Sequence, residues 1–224
     1  RLFDDCGFAR LSGIGADDDS QVFIRYPRFR FRPSHADGLH LDFWLNGQNL
    51  LRDGGSFSYD VGLGFTDYFM GARSHNTVQF DNRDQMPRLG RFLFGEWLGA
   101  GERQISHIEA GGASFEVSYE DHKGANHFRS VVLGINSLYV KDAVGGFCMS
   151  AVLRWRLMPG EWCLRDGAVS NGKQTLSFSS DVPICRAELV SGWESRYYRS
   201  KDQVPVLEVE INQPGTLITQ FDWI

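Results

Sequence analysis

Along most of the chain, apolar residues recur at every second position or gather in short β-branched and aromatic runs, and turn residues interrupt them about every ten residues. This period predicts strands. Leu39, Leu41, Phe43 and Leu45 alternate with His40, Asp42, Trp44 and Asn46, and Asn46-Gly47 supplies the positive dihedrals of a tight hairpin turn before a return strand from Gln48 to Arg52. Gln104 to Glu109 and Ser114 to Glu120 flank Gly111-Gly112, and Asn171-Gly172 breaks the run from Val169 to Phe178, so both read as hairpins. The segment HFRSVVLGINSLYVKDAVGG predicts two long strands, and ICRAELVSGWESRYY and PVLEVEINQPGTLITQFDW predict more. The expected architecture is all-β: a large antiparallel β-sandwich of two packed sheets with roughly a dozen or more strands, which limits exposed edges.

No Pro/Ser linker, low-complexity stretch or clear internal repeat divides residues 1–224, so the chain reads as a single domain. A hydrophobic content of 42% with 23% charged residues allows a sizeable core. The net charge of -5 argues against a general nucleic-acid binder, so any anionic ligand must meet a local basic patch. No apolar run approaches the length of a membrane span, and the start at Arg1 without an initiator Met suggests a fragment or processed product. Cys6, Cys148, Cys163 and Cys185 lack the close spacing of a thiolate metal site and read either as buried free thiols or as including one bridge.

The densest group of chemically able residues runs through PSHADGLHLDFW, NLLRDGGSFSYD and ARSHNTVQFD. Just before it lies RYPRFRFRP, where an extended strand would place Arg28, Arg30 and Arg32 on one face and send Phe29 and Phe31 into the core. Guanidinium groups grip carboxylate or sulfate in bidentate fashion, so this stripe, with Arg73 on the same candidate surface, reads either as a site for an acidic sugar or as a solvated strand face. His40 and Asp42 read as outward-facing residues, solvated or hydrogen bonded, and His107, His122 and His127 as surface or structural ones.

The His-Ala-Asp that opens a strand, the Leu-Leu-x-Asp-x-Gly of the hairpin return and the later Ser-His-Asn-Thr-Val together resemble the heparinase II/III-like family, over the stretch from CGFARLSG to about GEW. The resemblance is to that family's C-terminal part, a β-sandwich that follows a helical toroid in enzymes that eliminate across glycosidic bonds next to uronic acids. It implies that His35, Asp53 and His75 hold zinc or a similar divalent ion, most simply in a structural role, since two imidazoles and a carboxylate suit that borderline-soft metal. The two-residue turn at Asn46-Gly47 leaves positions 35 and 53 out of direct register, so a bulge, bend or longer loop has to bring them together. The resemblance also implies an acidic polysaccharide as partner, a missing toroid that carries the main acid/base residues, and a periplasmic or secreted bacterial setting. Some relatives place a catalytic His two positions before His-Ala-Asp, where this chain has Pro33. That departure leaves Tyr59 and Tyr68 as candidate acid/base groups, or as aromatic packing at a strand end. The functional alternatives are thus a lyase domain, a non-catalytic glycan-binding relative in capsule or surface-polysaccharide production, and a purely structural sandwich.

Overall fold

The computed structural model describes residues 1–13, 19–60, 62–108 and 112–223. In chain order the strands are β1 (Leu2–Phe3), β2 (Phe8–Ser12), β3 (Gln21–Arg25), β4 (Leu41–Leu45), β5 (Gln48–Leu51), β6 (Val78–Phe80), β7 (Arg88–Gly90), β8 (Leu93–Phe94), β9 (Gly99–Ile108) and β10 (Gly112–Glu120). They continue with β11 (Asn126–Gly134), β12 (Ser137–Gly145), β13 (Ala151–Arg156), β14 (Cys163–Arg165), β15 (Ala168–Ser170), β16 (Gln174–Ser180), β17 (Ile184–Glu194), β18 (Asp202–Ile211) and β19 (Gly215–Trp223). Among the described residues one helix, α1 (Leu63–Met70), and a 3-10 turn (Ala72–Ser74) interrupt this all-β order. No helix among the described residues is long and apolar enough to cross a membrane.

The strands pair antiparallel in a five-stranded sheet (β1 to β5), an eight-stranded sheet (β14-β15-β16-β19-β12-β11-β10-β9), a four-stranded sheet (β17-β18-β13-β6) and a β7-β8 ribbon. The five- and four-stranded sheets are stitched into one layer where Leu51 bridges Leu157, with Arg52 N–H donating to Arg156 O at 3.0 Å. The eight-stranded sheet packs against that layer. Phe43 meets Phe221 and Trp223, Tyr26 meets Phe115, and the buried Trp155 donates its indole N–H to Thr219 Oγ1 at 3.0 Å. Apolar residues of all three large sheets form one continuous core, so the expected sandwich holds, with one layer assembled from two sheets.

The hairpin at Asn46-Gly47 forms with both residues at positive φ, and Asn171-Gly172 joins β15 to β16. β9 pairs with β10 as expected, although Glu109, Ala110 and Gly111 of that turn lie outside the described residues. The stretch from Tyr26 to Pro33 departs from expectation, since it carries no strand and Phe31 is 86% exposed. Pro27 and Pro33 lack the N–H that a ladder requires, and Arg28 N–H turns back to Tyr26 O. The four cysteines are free and exposed, where burial was one of the expectations.

Candidate metal centre

His35, His40, Asp53 and His75 meet where the five- and four-stranded sheets join, and each is placed by a different device. The loop before β4 is pinned by Ala36 N–H to Met70 O at 2.8 Å, which sets His35. His40 follows Leu39, whose φ of 59° turns the chain sharply into the strand. Beyond β5, Asp53 precedes two glycines with separate reasons to be glycine. A Cβ on Gly54 would meet Ser74 at 2.7 Å, and one on Gly55, at φ +76°, would meet Ser195 O at 2.1 Å. The backbone of this turn therefore passes between two other segments, which is a physical reason for the Asp-x-Gly pattern. Gly55→Ala is expected to cost about 1–3 kcal/mol for the forced backbone conformation alone; a urea denaturation midpoint equal to that of the parent protein would show that the turn does not bear this constraint.

The Ser-His-Asn-Thr-Val segment is a buried polar hub. Asn76 donates its side-chain amide to Leu41 O (2.8 Å) and Arg52 O (3.3 Å), and its Oδ1 accepts Arg156 N–H at 2.6 Å. Thr77 Oγ1 donates to Gly38 O and Ser74 Oγ to Phe69 O. Between these anchors His75, fully buried, has little freedom to move.

Its two ring nitrogens face different partners. Nδ1 lies 2.9 Å from Asp53 Oδ2 and Nε2 lies 3.3 Å from His35 Nδ1, while His35 Nε2 contacts Ser56 Oγ at 3.2 Å. If each outer nitrogen carries its proton toward Asp53 or Ser56, the inner pair face each other with lone pairs. His40 stands on the other side of Asp53, Nε2 to Oδ2 3.4 Å, and its Nδ1 accepts Asn76 N–H at 2.9 Å. A ring that accepts at Nδ1 holds its proton on Nε2, the atom turned to Asp53. The ligand atoms of His40, Asp53 and His75 all lie within 4.8 Å of one another, a compact donor set around Asp53, whereas His35 meets His75 at Nε2, on the ring edge that faces away from Asp53. His40 turns Nε2 toward Asp53 and His35 turns Nδ1 toward His75, so one imidazole stands on either side of the Asp53–His75 pair.

The electrostatics keep the donors in metal-binding form. Burial, reinforced by His75, lowers the His35 pKa, so its imidazole is neutral. Burial would raise the pKa of Asp53, but His75 and the Gly55 amide outweigh it and hold the carboxyl well below the usual range. Asp53 Oδ1 accepts that amide, and Asp42 Oδ1 accepts Asp53 N–H at 3.1 Å.

The remaining candidates lie elsewhere. Arg28 pairs with Asp4 and Arg30 with Asp5 at 2.7 and 2.5 Å, Arg73 donates to Asn82, and Arg32 is exposed. Tyr68 OH takes hydrogen bonds from Arg156 Nη1 and Trp193 N–H, at 2.9 and 2.8 Å, whereas Tyr59 is exposed and packs on Phe92 and Tyr198. His127 is buried on Asp142, in keeping with a structural role. Sequence reasoning set His40 aside as outward-facing. His40 is 6% exposed and lies just before β4, hydrogen bonded to the Asn76 amide and facing Asp53.

The fold and sequence also align with known proteins. The family model for the heparinase II/III-like C-terminal domain matches residues 1–223. A heparinase III structure, the BT4657 gene product, superposes with a TM-score of 0.82 at 18% identity, covering all of this chain and 36% of that one. A second heparinase III structure reaches 0.79 at 15% identity, and the heparan sulfate lyase HepC from Pedobacter heparinus 0.78 at 14%, each again with 36% of its chain covered. No curated protein matches this sequence. The chain thus spans about a third of these solved structures. It belongs to the heparinase II/III-like family, as its C-terminal β-sandwich domain.

Proposed function

We propose that this chain is the sandwich domain of a polysaccharide lyase acting by β-elimination on acidic, uronate-containing polysaccharide, with a divalent metal held by His35, Asp53 and His75. The observation that supports the metal most is the 3.3 Å approach of His35 Nδ1 to His75 Nε2. Two imidazole nitrogens approach that closely across a shared proton or a cation, and because Asp53 meets the opposite nitrogen of His75, an ion bound by all three would replace one of these two contacts. Zinc suits the donor set. Bound there, it would fasten the loop of His35 to the Asp53 turn and the Ser74–Thr77 hub, a structural role. His40, fixed by the Asn76 amide, would orient Asp53 as an outer partner.

Elimination needs a group to neutralise the uronate carboxylate, a base for the C5 proton and an acid for the leaving oxygen. In this reading the main acid/base groups belong to the helical part of a longer parent protein, and the setting is periplasmic or secreted. Tyr59 is the more accessible of the two candidate tyrosines here, since the Tyr68 hydroxyl is already engaged. All three stripe arginines are exposed, and Arg32 has no ion pair among the described residues, while Arg28 and Arg30 face Asp4 and Asp5. Pro33, standing where some relatives have a catalytic His, favours a second reading, a non-catalytic glycan-binding relative.

Two measurements test the proposal. Elemental analysis of chelator-free protein should find about one divalent ion per chain, lost in His35→Ala and retained in His40→Ala; the opposite pattern would move the ion to the His40 side, and no ion in the parent protein would end the metal reading. Ultraviolet absorbance of unsaturated uronate should appear with the longer parent protein on an acidic polymer and be absent with residues 1–224 alone. A parent protein inactive on every uronate polymer tried would leave the glycan-binding reading.

A further inference from the structure

The turn that carries Asp53 also forms part of the wall of a cleft of about 640 Å³. On one side stands the outer face of the β4-β5 hairpin, where Trp44 pairs in register with Asn49 and Gln48 lies beside them. On the other side, directly after β17, stand Ser195, Arg196 and Tyr197, the last of them 76% exposed. The two walls are fastened together, since Ser195 N–H donates to Gly54 O at 2.8 Å and Ser195 O lies against Gly55.

The charges around this cleft are those of Arg52, Arg196, Asp53 and Glu194, and the most accessible of them is Arg196. The buried Glu194 takes Arg52 Nη1 at 2.6 Å and lies 3.8 Å from Arg196 Nε, so two guanidinium groups share one carboxylate. Arg196 is the looser of the two partners, with its side chain 53% exposed. Asp53, the acid that borders the cleft, is occupied by the Gly55 amide and His75. A cleft with one exposed and one half-buried aromatic ring, two side-chain amides and one exposed guanidinium has the elements that recognise a charged sugar: apolar faces for the C–H side of a ring, donors and acceptors for hydroxyls, and a planar cation for a carboxylate or sulfate.

We propose that this cleft is a binding subsite for an acidic oligosaccharide, with the anionic group on Arg196, a sugar ring on Trp44 or Tyr197, and hydroxyls on Gln48 and Asn49. This deepens the lyase reading by giving the acidic ligand a place on the sandwich, and it rests on that reading for the choice of probes. It also places the ligand away from Arg28 and Arg30.

The test is titration of the protein with an alginate tetrasaccharide, a heparan sulfate tetrasaccharide and neutral cellotetraose by isothermal calorimetry. At least one acidic tetrasaccharide should bind, and more tightly than cellotetraose. Arg196→Gln should weaken that binding about tenfold, equivalent to about 1.4 kcal/mol, and the loss should shrink at high salt, where exposed charges are screened. Tyr197→Ala should weaken it as well, whereas the double variant Arg28→Ala with Arg30→Ala should bind as the parent protein does. Arg196 and Tyr197 are chosen because their exposure lets the variants fold, which an unchanged melting temperature would verify. No binding of either acidic tetrasaccharide, or parent-like binding by both Arg196→Gln and Tyr197→Ala, would overturn the subsite. The subsite and the lyase reading fail separately: cleft binding with a parent protein that never eliminates keeps the first and sinks the second, while elimination with an unchanged KM in Arg196→Gln does the reverse.

Discussion

Replacing Arg129 with methionine is expected to destabilise the protein by about 3–5 kcal/mol, the cost of leaving a buried ion without its partner. Arg129 is fully buried at the middle of β11, with Nε and Nη2 on the two oxygens of Asp142 at 2.6 and 3.1 Å and its guanidinium over the Trp155 ring. Its Nη1 reaches across to the opposite layer, where Leu39 O and Asn76 O accept. Those carbonyls belong to the residues next to His40 and His75, so Arg129 ties the eight-stranded sheet to the candidate metal centre. Methionine fills much of the volume but leaves the Asp142 charge with His127 alone and both carbonyls without this donor. The measurement is urea unfolding of Arg129→Met beside the double variant Arg129→Met with Asp142→Leu. The double variant should recover part of the loss, because an apolar pair can replace a buried ion pair at little cost. If the single variant loses less than about 1 kcal/mol, the guanidinium is not the clamp described here.

The Asp142 carboxyl also makes a prediction about pH. Burial alone would raise its pKa, but Arg129 and His127 hold it below the ordinary value. A depressed folded-state pKa contributes stability above the unfolded value of about 4 and loses it as pH falls toward the folded one. Acid unfolding of the parent protein should therefore begin below about pH 4, and Asp142→Asn should remove part of that dependence.

The second large effect is expected from His75→Ala, at about 2–4 kcal/mol. The substitution opens a cavity in a buried hub and removes the groups that face Asp53 and His35, where a lost hydrogen bond to a charged partner counts for about 1.5–3 kcal/mol. Asp53 is 37% exposed, so water can compensate part of the loss on its side. If the centre holds an ion, the melting temperature of the parent protein should fall on chelation, and that of His75→Ala should not respond. A variant that still responds to chelator would show that the ion is held without His75.

Much of the fold was legible along the chain because a two-residue period is local. Alternation through 41–45, the Asn-Gly turns and the long strands on either side of Ile135-Asn136 appear where the pattern placed them, although the first strand of these begins two residues later than expected because Leu39 turns. Alternation also holds a message that went unread: Arg129 is in phase with the inward Val131 and Leu133, and Asp142 with Val140 and Val144. A charged residue in that phase is a buried ion pair in waiting, yet a charge is ordinarily taken for surface. The period failed between Tyr26 and Pro33, where prolines remove ladder donors and leave Phe31 in solvent.

The sequence by itself thus determined the strands, the turns, the all-β class and the motif residues His35, Asp53 and His75. Only the tertiary structure decided which sheet each strand joins: β18 and β19, consecutive in the chain, lie in different sheets. It also decided that bridges at Leu51–Leu157 and Gly55–Ser195 would weld two sheets into one layer, and that His40 would be buried against Asp53. The physical reason is that period and turn chemistry act over a few residues, whereas these outcomes depend on contacts between residues far apart in sequence, such as Arg129 with Leu39 and Asn76, that exist only once the layers close.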